Sequence, residues 1–131
     1  MTKQLPWYEG PISEAQGWAM MAELLPHIRQ GELGWATDTF KWFWAEYEKG
    51  EAADTQLMRS VGDCLERIYC DGAGELKPDV HLGFCCSAEV ELRATPSDDE
   101  RVLAFLGPVT RETIEGLLSE FRAHAERREG S

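Results

Sequence analysis

Four cysteines and three histidines are the side chains of this 131-residue chain best suited to nucleophilic or metal chemistry, and their spacing limits both. Cys64 and Cys70 are six residues apart in a stretch of helical periodicity. That spacing sets them about 120° apart around a helix axis, so they cannot jointly grip one ion. His81 and Cys85 lie in an alternating stretch, where a strand would place them on one face but roughly 13 Å apart, too far for shared coordination. Adjacent Cys86 would point to the opposite face. Cys85 with His81 is the pair closest to a cysteine nucleophile and its base. The acidic surroundings oppose that role, because neighbouring carboxylates raise a thiol pKa. Gly72-Ala73-Gly74 follows a helix-like stretch and lacks the lysine and hydroxyl of a phosphate loop. Asp71, Glu75 and Asp79 do not follow calcium-loop spacing, and neither G-x-S-x-G nor H-E-x-x-H occurs. No catalytic residue, metal or cofactor is expected.

Charge says more. The chain carries 24 acidic and 13 basic residues, a formal net charge of -11. Residues 51–100 hold 12 acidic and 4 basic groups, net -8, whereas residues 101–131 balance at 5 and 5. A field of that sign repels phosphate backbones and anionic lipid, so direct binding to nucleic acid or membrane is disfavoured. A basic protein partner would be attracted and its encounter accelerated. Glu89, Glu91, Asp98, Asp99 and Glu100 are the expected source of that charge. Trp7, Tyr8 and Trp42 are the expected apolar anchors, since tryptophan is enriched where binding energy concentrates. All five tryptophans fall in the first 44 residues. On the helix that carries Phe43 and Trp44 in its inward stripe, Trp42 points elsewhere, into a second layer of core or to the surface.

The elements that must position these groups read as follows. Ser13 and Gln16 form a capping-box pair, with Trp18, Met21, Ala22, Leu25 and Ile28 at helical spacing behind them. Pro26 kinks or restarts that helix and Gly31 stops it. Thr37 or Asp38 is placed to cap a second helix, with Phe40, Phe43, Trp44 and Tyr47 on one stripe and Gly50 at its end. Asp54 is placed to cap a third, with Leu57, Val61, Cys64, Leu65 and Ile68 buried and Asp71-Gly72 closing it. From Val80 to Ala94 apolar residues alternate, which predicts a strand bent near Gly83, and Val102–Leu106 predicts a second strand pairing antiparallel with it. Thr110 is the expected cap of a last helix, with Val109 and Ile114 as a hydrophobic staple.

Helices followed by strands predict an α+β fold in a single domain spanning 1–131. Three N-terminal helices precede a small antiparallel sheet, with strands at about 80–94 and 101–106, covered by a C-terminal helix at about 111–127. Residues 1–12 are expected to form an arm and 126–131 a frayed tail. With no apolar signal segment, the chain is expected in the cytoplasm with its thiols reduced. The expected function is a small acidic, non-enzymatic protein-binding or inhibitor module that engages a basic macromolecular surface, as a toxin-immunity protein or a phage-type antagonist mimicking nucleic acid does. The alternatives are a small-molecule enzyme using Cys85 and His81 in a pocket between helices and sheet, and a homodimeric structural domain.

Overall fold

The computed structural model describes residues 11–94 and 99–129, without the side chains of 99, 100 and 129. Two helices start at the caps the sequence offers, Ser13 and Asp54. Ser13 Oγ accepts from the Gln16 amide at 3.1 Å, and Gln16 Oε1 accepts from the Ser13 amide at 2.9 Å, opening α1 (Glu14–Leu24). The helix ends before Pro26, because a proline there disfavours helical backbone in the residue preceding it. Asp54 caps α3 (Thr55–Asp71) by accepting from the Leu57 amide at 3.0 Å. Between these two, α2 (Trp35–Glu48) begins at Gly34, whose φ of 87° only glycine adopts readily. It does not begin at Thr37 or Asp38, which lie inside the helix.

The expected sheet is absent, and the fold among the described residues is all-α. Residues predicted as the long strand form a continuous helical run: α4 (Leu76–Asp79), a π-helical segment Val80–Cys85, and α5 (Cys86–Ala94). The predicted second strand is divided between the short helix α6 (Asp99–Leu103) and the turn after it, which leads to α7 (Pro108–Glu129). The misreading has a definite origin. Val80, Phe84, Ala88 and Leu92 recur every fourth residue, a spacing that fits both the strand period of 2 and the helical period near 3.6. The residues between them decide the matter. Leu82 and Val90, which a strand would bury, are 67% and 54% exposed, whereas Cys85 and Glu89, on the supposed polar face, are buried. Fifteen residues is also long for a strand, and 86–94 is rich in the helix formers Ala, Glu, Leu and Arg.

α3 is the central element. Its buried stripe of Met58, Val61, Cys64, Leu65 and Ile68 packs against α1 on one side and α7 on another. Gly62 makes this possible at the α6–α7 connection, since a Cβ there would fall on the carbonyl oxygen of Phe105. α2 lies on the π segment, with Phe84 set edge-on to Phe40 and Phe43 at centroid distances of 5.6 and 5.5 Å. Gly83 allows α2 to come so close: a Cβ there would stand 2.6 Å from that of Ala36.

Residues 1–10 of the expected arm and 130–131 of the expected tail lie outside the described residues. Ile12 is fully buried, donating to the Asp71 carbonyl at 2.8 Å and accepting from the Ala73 amide at 2.7 Å. Helix α7 continues through Glu129, into the stretch expected to fray. Its start is capped by Glu66 of α3, not by its own Thr110, and Val109 is exposed, so the expected staple with Ile114 does not form. Among the described residues no helix is long and apolar enough to cross a membrane.

Candidate partner-docking groove

Of the five carboxylates singled out from the sequence, the structure describes the side chains of Glu89 and Glu91. Glu89 is only 5% exposed and accepts from Arg93 Nε at 2.7 Å, so its charge is largely neutralised within α5. Glu91 is exposed on the same helix. Asp99 and Glu100 open α6, but their side chains, together with Asp98, Trp7 and Tyr8, lie outside the described residues. Trp42 is half-buried, packing edge-on to Phe43 at 6.5 Å between centroids, as part of a second layer on the core. Asp71 is paired with Arg67 at 2.6 Å.

Another set of carboxylates does come together. The N-terminal end of α2, the 31–34 connection, α1 and the α4–π run enclose a groove of about 600 Å³. Its acidic lining consists of Glu14, Glu32, Glu75 and Asp79, and its apolar lining includes Trp18, Trp35, Leu33 and Leu82. Among the described residues no Lys, Arg or His lines it. Leu33, between Gly31 and Gly34, is fully exposed, and Leu82 of the π segment is 67% exposed. Two large exposed aliphatic side chains on one acidic cleft form the kind of apolar patch that interaction sites display.

The chain builds this groove from local features. Trp35 is buried, and its indole N–H donates to Asp79 Oδ2 at 2.9 Å, fixing the start of α2 to α4 and holding one carboxylate in the cleft. With Gly34 as its N-cap, α2 has no side-chain cap, so the partial positive charge of its N-terminus favours the acids around it, Asp38 and Asp79 included. Gly83 keeps the opposite wall close. Arg29 lies 3.9 Å from Glu32 with both side chains well exposed, a geometry that contributes little. Trp18 Nε1, beside the groove, is buried and has no hydrogen-bond partner among the described residues.

The surroundings of Cys85 and His81 do not favour a nucleophile and its base. Cys85 faces the core, and burial first, then the nearby Cys86 and Glu66, pushes its thiol up to about 12. That is far from the thiolate a nucleophile needs. His81, four residues before Cys85 on the π segment, is engaged by Tyr69, whose Oη lies 3.0 Å from its Nδ1. Cys64 is likewise buried, with its thiol pushed up to about 12 by desolvation and by Asp63. All four cysteines are free thiols. Among the described residues no three His, Cys, Asp or Glu side chains are arranged to hold a metal ion.

No protein-family model matches the chain, and no curated protein or solved structure matches it either. The groove residues went unnoticed in the sequence for identifiable reasons. Glu32 and Leu33 lie in a Gly-Glu-Leu-Gly turn, where an aliphatic residue between two glycines is itself a signal of exposure. Leu82 gave no such signal, because the alternating pattern assigns it to the core.

Proposed function

We propose that the chain is a small non-enzymatic binding or inhibitor module, acting in the cytoplasm, that engages a basic surface of a macromolecular partner. A toxin-neutralising immunity protein or a phage-type antagonist is the analogous kind of molecule, and that comparison is one of character, not of fold. The observation that carries the proposal is the groove: four carboxylates converge there beside exposed Leu33 and Leu82, with no basic side chain among the described lining residues. A net charge of -11 extends the same sign over the whole chain, which raises the encounter rate with a cationic surface and repels nucleic acid. The withdrawn thiols of Cys64 and Cys85 favour binding over covalent chemistry.

The test begins with affinity capture from source-cell lysate, followed by association kinetics with the purified captured protein. The wild-type chain should associate more slowly as salt is raised. The exposed double reversal Glu32→Lys/Glu75→Lys should slow association further while leaving the melting temperature close to wild type. A captured partner that associates at the same rate at every salt concentration, and equally with the reversed variant, would refute a basic surface as the target.

A further inference from the structure

We infer that the groove takes a short amphipathic segment of the partner, in which arginine or lysine side chains are flanked by apolar ones, in preference to a broad, uniformly basic surface. This rests on the binding reading above and specifies its occupant. A protein that imitates a phosphate backbone needs a long row of unencumbered carboxylates. The described acids of the 71–94 stretch do not supply one. Asp71 is paired with Arg67, Glu89 with Arg93, and Asp79 holds the Trp35 indole. The carboxylates that do converge accompany apolar surface instead, with exposed Leu33 and Leu82 lining the same cleft as Trp18 and Trp35.

A volume of about 600 Å³ accommodates a few side chains, not a domain face. Charge complementarity selects the sign of the occupant. The leucines select its second component, because an arginine-only segment would leave them in water, whereas apolar neighbours would bury them. Recognition of this kind, with an amphipathic segment laid into a groove, draws affinity from the apolar anchors and orientation from the charges. A second copy of this chain is a poorer occupant, since each copy brings a net charge of -11 to the contact.

The discriminating experiment is a titration of isotope-labelled full-length protein, followed by amide and indole NMR signals, with two synthetic peptides of equal length and charge. One carries arginine and leucine at helical spacing, and the other replaces every leucine with serine. The arginine–leucine peptide should shift the indole signals of Trp18 and Trp35 and the amides of Leu33, Leu82 and Gly83 in a saturable manner. It should bind about tenfold tighter than its serine counterpart. The exposed substitutions Leu33→Ser and Leu82→Ser together should erase that difference without altering the rest of the spectrum. Equal binding of both peptides at the groove would overturn the amphipathic occupant and leave the basic-partner reading standing. Shifts centred on another face would overturn the groove alone. Absence of binding by either peptide would remove both, and groove signals that shift on raising the concentration of the chain by itself would assign the cleft to a second copy.

Discussion

Glu66 belongs to α3 but completes α7, and its chemistry makes it sensitive to pH. Its carboxylate accepts from the Val109 amide at 2.9 Å, the Thr110 amide at 2.8 Å and the Thr110 hydroxyl at 2.8 Å. Burial pushes its pKa up, and the hydrogen bonds from Thr110, Val109 and Cys70 outweigh that, so the net shift is downward. A carboxylate depressed in the folded state stabilises the protein fully above its unfolded value near ~4.3, and that contribution is lost as pH falls through the lower folded value. Glu66→Ala should therefore lower unfolding free energy at neutral pH by about 1–2 kcal/mol, the range for a lost helix cap that is partly open to solvent. Urea titrations at neutral pH and near pH 3 should show the deficit shrinking in acid. A deficit that stays constant would mean that the charge of Glu66 does not act on the α7 amides.

The thiols provide a second check at the same scale. Cys70 is exposed, whereas Cys64 and Cys85 are fully buried with their pKa values pushed up to about 12. Alkylation followed by mass spectrometry at mildly alkaline pH should label Cys70 in the native protein, and Cys64 and Cys85 only after denaturant is added. Cys85 reacting at the rate of Cys70 would contradict its position in the core and reopen a catalytic role for it.

At the scale of elements, legibility followed the presence of side chains that act on the backbone. Ser13 with Gln16, Asp54 and Gly72 each start or end a helix by a local mechanism, so the start of α1 and both ends of α3 were readable, whereas α1 stops at Leu24 and does not run past Pro26 to the expected stop at Gly31. The 80–94 run had no such marker. Its fourfold apolar recurrence satisfies two periods at once, and the π segment at Val80–Cys85 further displaces the residues after it from simple helical register. Long-range caps were invisible for a different reason: Glu66 lies 44 positions from Thr110, and no local rule couples them. The groove, assembled from three separate stretches, was legible only as an excess of acid. Two substitutions separate the strand from the helix. Val90→Glu should change stability by no more than about 0.5 kcal/mol, as surface changes do. Phe84→Ala, which removes the ring packed on Phe40 and Phe43, should cost about 3–5 kcal/mol. Comparable losses for both, measured by denaturant titration, would favour the sheet in which both residues face inward.

For the whole molecule, the question is whether a net charge of -11 is locally compensated or opposes folding. Several carboxylates are satisfied internally: Glu46 by Lys49 at 2.5 Å and by the Asp54 amide, Glu89 by Arg93, Asp71 by Arg67 and Glu66 by the start of α7. These contacts are short-ranged or partly buried, so dissolved salt screens them weakly. The uncompensated surplus, which includes the acids around the groove, acts at longer range through water, where screening is effective. Salt should therefore remove more repulsion than attraction. Raising sodium chloride from about 10 mM to about 150 mM shortens the Debye length from roughly 30 Å to roughly 8 Å, and the melting temperature should rise by several degrees. Sodium sulfate at matched ionic strength distinguishes screening from general stabilisation by excluded ions, since screening alone gives equal shifts. The Glu32→Lys/Glu75→Lys variant changes net charge by +4, from -11 to -7, and should melt higher than wild type in low salt and close to it at physiological salt. A melting temperature that falls as salt rises would show that ion pairs dominate the electrostatics of the fold, leaving little surplus field to attract a basic partner.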